Sequence, residues 1–333
     1  MRTSILFLLA TLSAEAASIH LPTQAPVRFI VLGDAGTGTS GQYAVAAAME
    51  KVCSQRGCQF ALNLGDNFYE YGVDSNTDPQ FQTKFEKPYT RLNFPFFMVL
   101  GNHDQSGMIP GSGVHPGKGD FQVEYTQHSD KWMMPSRYYN FAVPVARPGI
   151  EFFVLDSNPL APQNVPQFDW YRPNKKYDRD QRAWLRKSIA ASGAKWTAVV
   201  AHHPYRNNGT HGNAGEFEGL GLATGDELKK MYEAEVCGKV DFLLSGHDHS
   251  LQWLQPHPGC GARPQFMVSG AGAKSNGPKS ADPKKRASHA IWEAYETLGF
   301  FWVEASDARL KISAYTVKPD GSARLAFERT IQK

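Results

Sequence analysis

Phe60-Ala61-Leu62-Asn63-Leu64-Gly65-Asp66-Asn67-Phe68-Tyr69 begins as an apolar run and ends on a carboxylate, an amide and a phenol. The run has the length of a short buried strand, and the Gly-Asp pair that closes it has turn chemistry. Asp66, Asn67 and Tyr69 therefore fall on a loop at the carboxyl end of that strand. The pattern occurs four more times. Phe29-Ile30-Val31-Leu32 runs into Gly33-Asp34-Ala35-Gly36, and Phe97-Met98-Val99-Leu100 into Gly101-Asn102-His103-Asp104. Thr197-Ala198-Val199-Val200 runs into Ala201-His202-His203-Pro204, and Asp241-Phe242-Leu243-Leu244 leads to Gly246-His247-Asp248-His249. Open α/β sheets place their sites outside the carboxyl ends of strands. Five such ends gathering carboxylates, an amide, imidazoles and a phenol point to a hydrolase that works with two metal ions.

Between these ends the chain alternates strand, helix and strand, which gives an α/β layered fold. Helices are expected over Gln42 to Cys53, Gln80 to Thr90, Asp180 to Ser192 and Asp226 to Val236. Two stretches break the alternation and are expected to be irregular loops edging the site: Gln105 to Lys131, rich in Gly and polar residues, and Asn158 to Lys176, with its prolines. Gln265 to Ser269, Gly299 to Ala305, Leu310 to Val317 and Ala323 to Ile331 read as consecutive strands. No internal repeat or linker interrupts the chain, so one catalytic domain over residues 18–333 is expected.

A chain of 333 residues with 41% hydrophobic and 20% charged content can bury a substantial core. The net charge is +3 and the densest basic stretch is Lys284-Lys285-Arg286, so a nucleic-acid partner is not indicated. Arg2, the apolar segment Ile5 to Leu12 and the small-residue site Ala14-Glu15-Ala16-Ala17 have the form of a signal peptide over residues 1–17. That predicts a secreted or periplasmic protein. The apolar segment falls well short of the ~20 residues of a membrane span, and no later stretch is longer. Export makes the four cysteines candidates for two disulfides. Three connectivities are open, and joining neighbours, Cys53 with Cys58 and Cys237 with Cys260, is the economical one.

Taken in order, Gly-Asp-x-Gly, Gly-Asp-x-x-Tyr, Gly-Asn-His-Asp, Val-x-x-His and Gly-His-x-His resemble the purple acid phosphatases of the calcineurin-like metallophosphoesterase superfamily, and among them the small tartrate-resistant type. The resemblance implies a metallophosphoesterase sandwich of two mixed β-sheets flanked by helices. It also implies a ligand set. Fe3+ would take Asp34, Asp66, Tyr69 and His249, and a second ion, Fe2+, Zn2+ or Mn2+, would share Asp66 and take Asn102, His202 and His247. Hard oxygen donors suit the trivalent ion, and a phenol ionises near neutral pH only beside a strongly polarising cation. Either His202 or His203 aligns with the family's ligand, and the His-x-Pro spacing to Pro204 favours His202.

His103 and His211 match the family's substrate-facing imidazoles. The implied reaction is attack of a metal-bound hydroxide on a phosphate monoester, with the two histidines, protonated below ~6.5, binding phosphoryl oxygens and giving a proton to the leaving alkoxide. Small phosphate esters or phosphoproteins would be the substrates. A metallophosphodiesterase or nucleotide hydrolase would share most of the ligands, but Tyr69 argues against it. A secreted iron-binding redox protein would have no use for His103 and His211.

Overall fold

The computed structural model describes residues 21–161, 168–217 and 224–333; the expected signal peptide lies outside them. The chain builds one sheet, then another, then returns to the first. It lays down β1 (Val27–Leu32), β2 (Phe60–Asn63), β3 (Phe96–Met98) and β4 (Trp132–Met133). It then makes β5 (Tyr139–Val143), β6 (Ile150–Val154), β7 (Trp196–Val200), β8 (Phe242–Ser245), β9 (Leu251–Leu254), β10 (Gln265–Ser269) and β11 (Ala290–Ala294). Last come β12 (Leu298–Ser306), β13 (Arg309–Val317) and β14 (Ala323–Gln332). The first sheet runs β14-β13-β12-β1-β2-β3-β4 and the second β11-β9-β10-β8-β7-β6-β5, seven strands each.

Both sheets are mixed, and the strands that carry the five motifs pair in parallel: β1 with β2, β2 with β3, β7 with β8. Parallel strands need a crossover, supplied after β1 by α1 (Ser40–Arg56) and before β8 by α4 (Asp226–Glu235). Their carboxyl ends therefore point one way. The sheets face each other over aromatic rings. Phe29 stacks on Phe60 at 4.8 Å, and Phe152 of the other sheet meets Phe29 edge-on at 5.4 Å. Phe141 stacks on Phe97 at 3.7 Å across the same interface. Burying such rings removes apolar surface worth several kcal/mol from water, which ties the two strand-end rows into one rim.

Three expectations need correction. The stretch Gln105 to Lys131 contains α2 (Gly117–Tyr125), a helix whose Gly-Lys-Gly start has poor propensity. Tertiary bonds hold it: Trp132 Nε1 donates to the Gln122 carbonyl, and Asn67 Nδ2 donates to Gln122 Oε1. The helix expected over Gln80 to Thr90 begins at Gln80 but passes into a π-helical segment, Gln82–Glu86, and ends in turns up to Thr90. The helix α3 (Lys176–Ala191) starts four residues before the expected Asp180, as Asp178 accepts the Asn174 amide ahead of it. The strands β5, β9 and β11 carry no motif and escape the sequence pattern. Cys53 pairs with Cys58 and Cys237 with Cys260, the neighbour connectivity. Among the described residues no helix is long and apolar enough to cross a membrane.

Candidate metal centre

Each motif leaves its strand through a sharp turn. Asp34, Asp66 and His247 have φ of 57°, 53° and 69°, in the left-handed region that costs an ordinary side chain roughly 1–2 kcal/mol. Glycines make room for the result. A Cβ on Gly101 would land on the Asp66 amide and carboxylate, and one on Gly246 would press on Asp34. Backbone amides then fix the carboxylates: His247 N–H donates to Asp34 Oδ2 and His103 N–H to Asp66 Oδ1, both at 2.9 Å.

The side chains converge as two groups. In the first, the Tyr69 hydroxyl donates to Asp34 Oδ1 at 3.0 Å and lies 3.2 Å from His249 Nε2, which is 3.6 Å from Asp34 Oδ1. In the second, Asn102 Oδ1 lies 2.8 Å from His202 Nε2 and 3.1 Å from His247 Nδ1, and those two nitrogens are 3.2 Å apart. Asp66 touches both groups: its Oδ1 stands 3.4 Å from His202 Nε2, and its carboxylate also meets the Tyr69 hydroxyl. Adjacent donors that share one ion at about 2.1 Å lie about 3 Å apart, so both groups have the spacing of a coordination sphere.

Proton bookkeeping supports the same fit. His202 Nδ1–H donates to the Leu64 carbonyl at 2.8 Å, so the neutral ring presents the lone pair of Nε2 to Asn102 Oδ1. The amide cannot turn to answer it, because Asn102 Nδ2 donates to the Gly111 carbonyl at 2.8 Å. Two lone pairs thus face each other at hydrogen-bond distance, an arrangement that a cation between them resolves. Without a cation the group is electrically awkward throughout. Burial and the Asp66 charge push the Asp34 carboxyl well above the carboxylate range. Burial opposes ionisation of Asp66 too, but His202 and His103 outweigh it and hold that carboxyl at about 2. Burial and the two carboxylates drive the Tyr69 phenol far up. Burial and neighbouring imidazoles keep His247 well below its ordinary value and His249 at about 3. Neutral imidazoles and a dense set of oxygen donors are what a metal ion requires.

The remaining predicted residues sit around this centre. His103 lies with its ring 4.4 Å from that of Tyr69, and its Nδ1 is 2.9 Å from the Glu70 carbonyl. The His211 ring is 4.6 Å from His247 and 5.6 Å from His249. His202 is the histidine turned to Asn102 and Asp66, whereas His203 Nδ1 bonds Ser157 Oγ at 2.8 Å and its ring lies 4.6 Å from His247.

Supporting carboxylates inside the motifs were not assigned from sequence. Asp104 accepts from the amides of Gly101 and Phe68 and from Asn67 Nδ2, and so locks the β2 and β3 loops together. Burial and the Asp66 charge raise it to about 8. Asp248 accepts from the His211 amide at 2.9 Å and from Asn207 Nδ2 at 2.8 Å, fixing the loop that presents His211. A sixth strand end also contributes. After β6, Asp156 accepts from Tyr171 and Tyr177, Ser157 meets His203, and Asn158 Nδ2 donates to the Gly101 carbonyl. Its apolar run into Asp-Ser-Asn has the same form as the other five, the signal that could have found it.

Comparison with known proteins agrees with the geometry. A family model described as calcineurin-like phosphoesterase matches residues 27–251. Tartrate-resistant acid phosphatase type 5 of Homo sapiens is 29% identical over 337 residues, 94% of this chain and 93% of its own. Purple acid phosphatase 4 of Arabidopsis thaliana is 32% identical over 285 residues, 81% of this chain and 76% of its own. A solved structure, GAP50, the anchor in the inner membrane complex of Plasmodium, shares the fold with a TM-score of 0.70 at 22% identity, over 93% of this chain and 89% of its own. The chain belongs to the calcineurin-like phosphoesterases, as a relative of the tartrate-resistant and purple acid phosphatases, and is a phosphate-ester hydrolase.

Proposed function

We propose that the protein is a secreted acid phosphatase that hydrolyses phosphate monoesters, small esters or phosphoproteins, at a dinuclear centre. Asp34, Asp66, Tyr69 and His249 would hold ferric iron, and Asp66, Asn102, His202 and His247 a divalent ion, Fe2+, Zn2+ or Mn2+. The observation that carries this is the convergence of two donor groups, each with ~3 Å spacing, on either side of Asp66. When bound, such ions supply Lewis acidity toward phosphoryl oxygens and an activated water.

The protein's own groups do the rest. With a ferric ion bound, Tyr69 would ionise and give the first group an anionic oxygen that a diesterase of this fold would not need. The Glu70 carbonyl orients His103 beside Tyr69, and Asp248 holds the backbone of His211, whose ring lies beside His247 and His249. Protonated, each can donate to a phosphoryl oxygen, and one can pass its proton to the leaving alkoxide. Only the protonated ring can serve both ends, so acid pH is expected to favour turnover. Export is supported by the two disulfides and by the amino-terminal pattern Arg2, Ile5 to Leu12, Ala14 to Ala17.

The test is the visible spectrum of the iron-counted protein beside Tyr69→Phe, with p-nitrophenyl phosphate turnover followed at acid and neutral pH. A purple band lost in the variant, together with acid turnover in the parent, is expected. A colourless, fully metallated protein that cleaves only diesters near neutral pH would overturn the proposal.

A further inference from the structure

Residues 274–289 carry Lys274, Lys279, Lys284, Lys285 and Arg286 against the single carboxylate of Asp282, a net +4. The whole chain carries +3, so everything outside this segment sums to −1. This loop alone accounts for the chain's net positive charge, and it is fastened to the metal centre. The Asn276 amide donates to the carbonyl of His249 at 2.8 Å, and the Lys279 amide to that of Asn208 at 3.0 Å, where Gly209 and Pro278 form a bridge.

This fastening sets one ammonium group over Tyr69 and a second beside Gly212, the residue that follows His211. Lys274 Nζ stands 3.8 Å from the centroid of the Tyr69 ring and 3.6 Å from Glu70 Oε1, and the Glu70 carbonyl orients His103. Lys279 Nζ lies 3.3 Å from where a Cβ on Gly212 would be, next to His211. Glu70, half in solvent, is the one carboxylate paired with either lysine among the described residues. A phosphate seated between His103 and His211 would therefore have a cation on each flank, outside the candidate ligand set. A neutral alcohol leaving group gives these charges nothing to bind. A second anionic group on the leaving portion does.

We propose that Lys274 and Lys279 form a substrate-selecting rim, and that the preferred substrates are phosphate monoesters bearing a second anionic group on the leaving portion. This rests on the phosphatase reading and adds the substrate class to it. Partly exposed charge pairs are worth about 1 kcal/mol or less each, so the selectivity is expected to be roughly fivefold to tenfold.

Glucitol 6-phosphate and 6-phosphogluconate carry the same phosphate ester on the same open carbon chain and differ only at the far carbon, a hydroxymethyl group in one and a carboxylate in the other. The wild-type protein should favour 6-phosphogluconate in kcat/KM by roughly fivefold, mainly through KM, and the ratio should fall as salt is raised. Lys274→Gln with Lys279→Gln should bring the ratio to about one, and Lys274→Arg with Lys279→Arg should restore it. A wild-type ratio near one, or a preference that survives the double glutamine variant, would sink the rim while leaving the phosphatase reading intact. If neither ester is hydrolysed, the phosphatase reading fails instead. Calorimetric binding of the same two compounds then decides the rim, which stands only if 6-phosphogluconate binds more tightly to the wild type and not to the double glutamine variant.

Discussion

Asp34, Asp66, Tyr69 and Asn102 reach the centre from β1, β2 and β3 of the first sheet, whereas His202, His247 and His249 reach it from β7 and β8 of the second. The oxygen-bearing half is strained by crowded negative charge, which burial makes worse at Asp34 and Asp104. The nitrogen-bearing half has the opposite difficulty, since its buried rings must give up their protons. Neither half would be stable as a charged cluster by itself. Their meeting at the seam between sheets is what makes both tolerable, and the unit of function is therefore the seam.

Removing the residue that touches both groups should do the most damage. Asp66→Asn is expected to lower turnover by roughly 10³-fold and to reduce the bound metal below two ions per chain, read by elemental analysis. If both ions remain, Asp66 does not join the groups. Next, Asp104→Ala strips the acceptor from two backbone amides and Asn67 on the oxygen side, and should cost about 3 kcal/mol in urea unfolding. The crosslinks separate the halves more gently. Cys237–Cys260 spans 23 residues beside the second core and Cys53–Cys58 spans 5 beside the first. Paired Cys→Ala replacement should cost about 3 kcal/mol for the longer loop and about 2 for the shorter; equal losses would show that loop length does not govern here.

The subtlest effect is a slope. In metal-free protein, a carboxyl raised on folding binds its proton more tightly in the native state, so Asp104 lends stability at low pH that is lost as pH climbs from about 4 toward 8. An imidazole lowered on folding does the reverse, so His249 adds stability as pH rises from about 3 to 6.5. Thermal melts should therefore show a rise and then a fall. Asp104→Asn should flatten the falling limb and His249→Asn the rising one, each by at most about 1.4 kcal/mol per pH unit. Variants that shift the curve without changing its limbs would remove these groups from the account.

The same division explains what the sequence made legible. Asp34, Asp66, Asn102, His202 and His247 announce themselves because an apolar run stops on a polar residue, a contrast between neighbours in the chain. Asp104 and Asp248 stand in the same motifs, yet their roles depend on amides brought near only by the turns, so the pattern shows the residue and hides its task. The helix α2 was invisible for a related reason: its glycines speak against a helix, and Gln122 is held by Trp132 and Asn67 from other elements. The strands β5 and β6 carry their identity in rings, Phe141 and Phe152, that meet the opposite sheet.

Asp34, Asp66 and His247 are three of the five non-glycine residues with positive φ among those described. Glycine in any of these places would relax the backbone, but it would remove a donor from the centre and, at Asp34 and Asp66, leave the His247 and His103 amides without their acceptors. Backbone strain taken alone would favour glycine at these three positions. Their persistence in a lineage would thus be a record of selection for chemistry, legible against the direction in which backbone strain pulls.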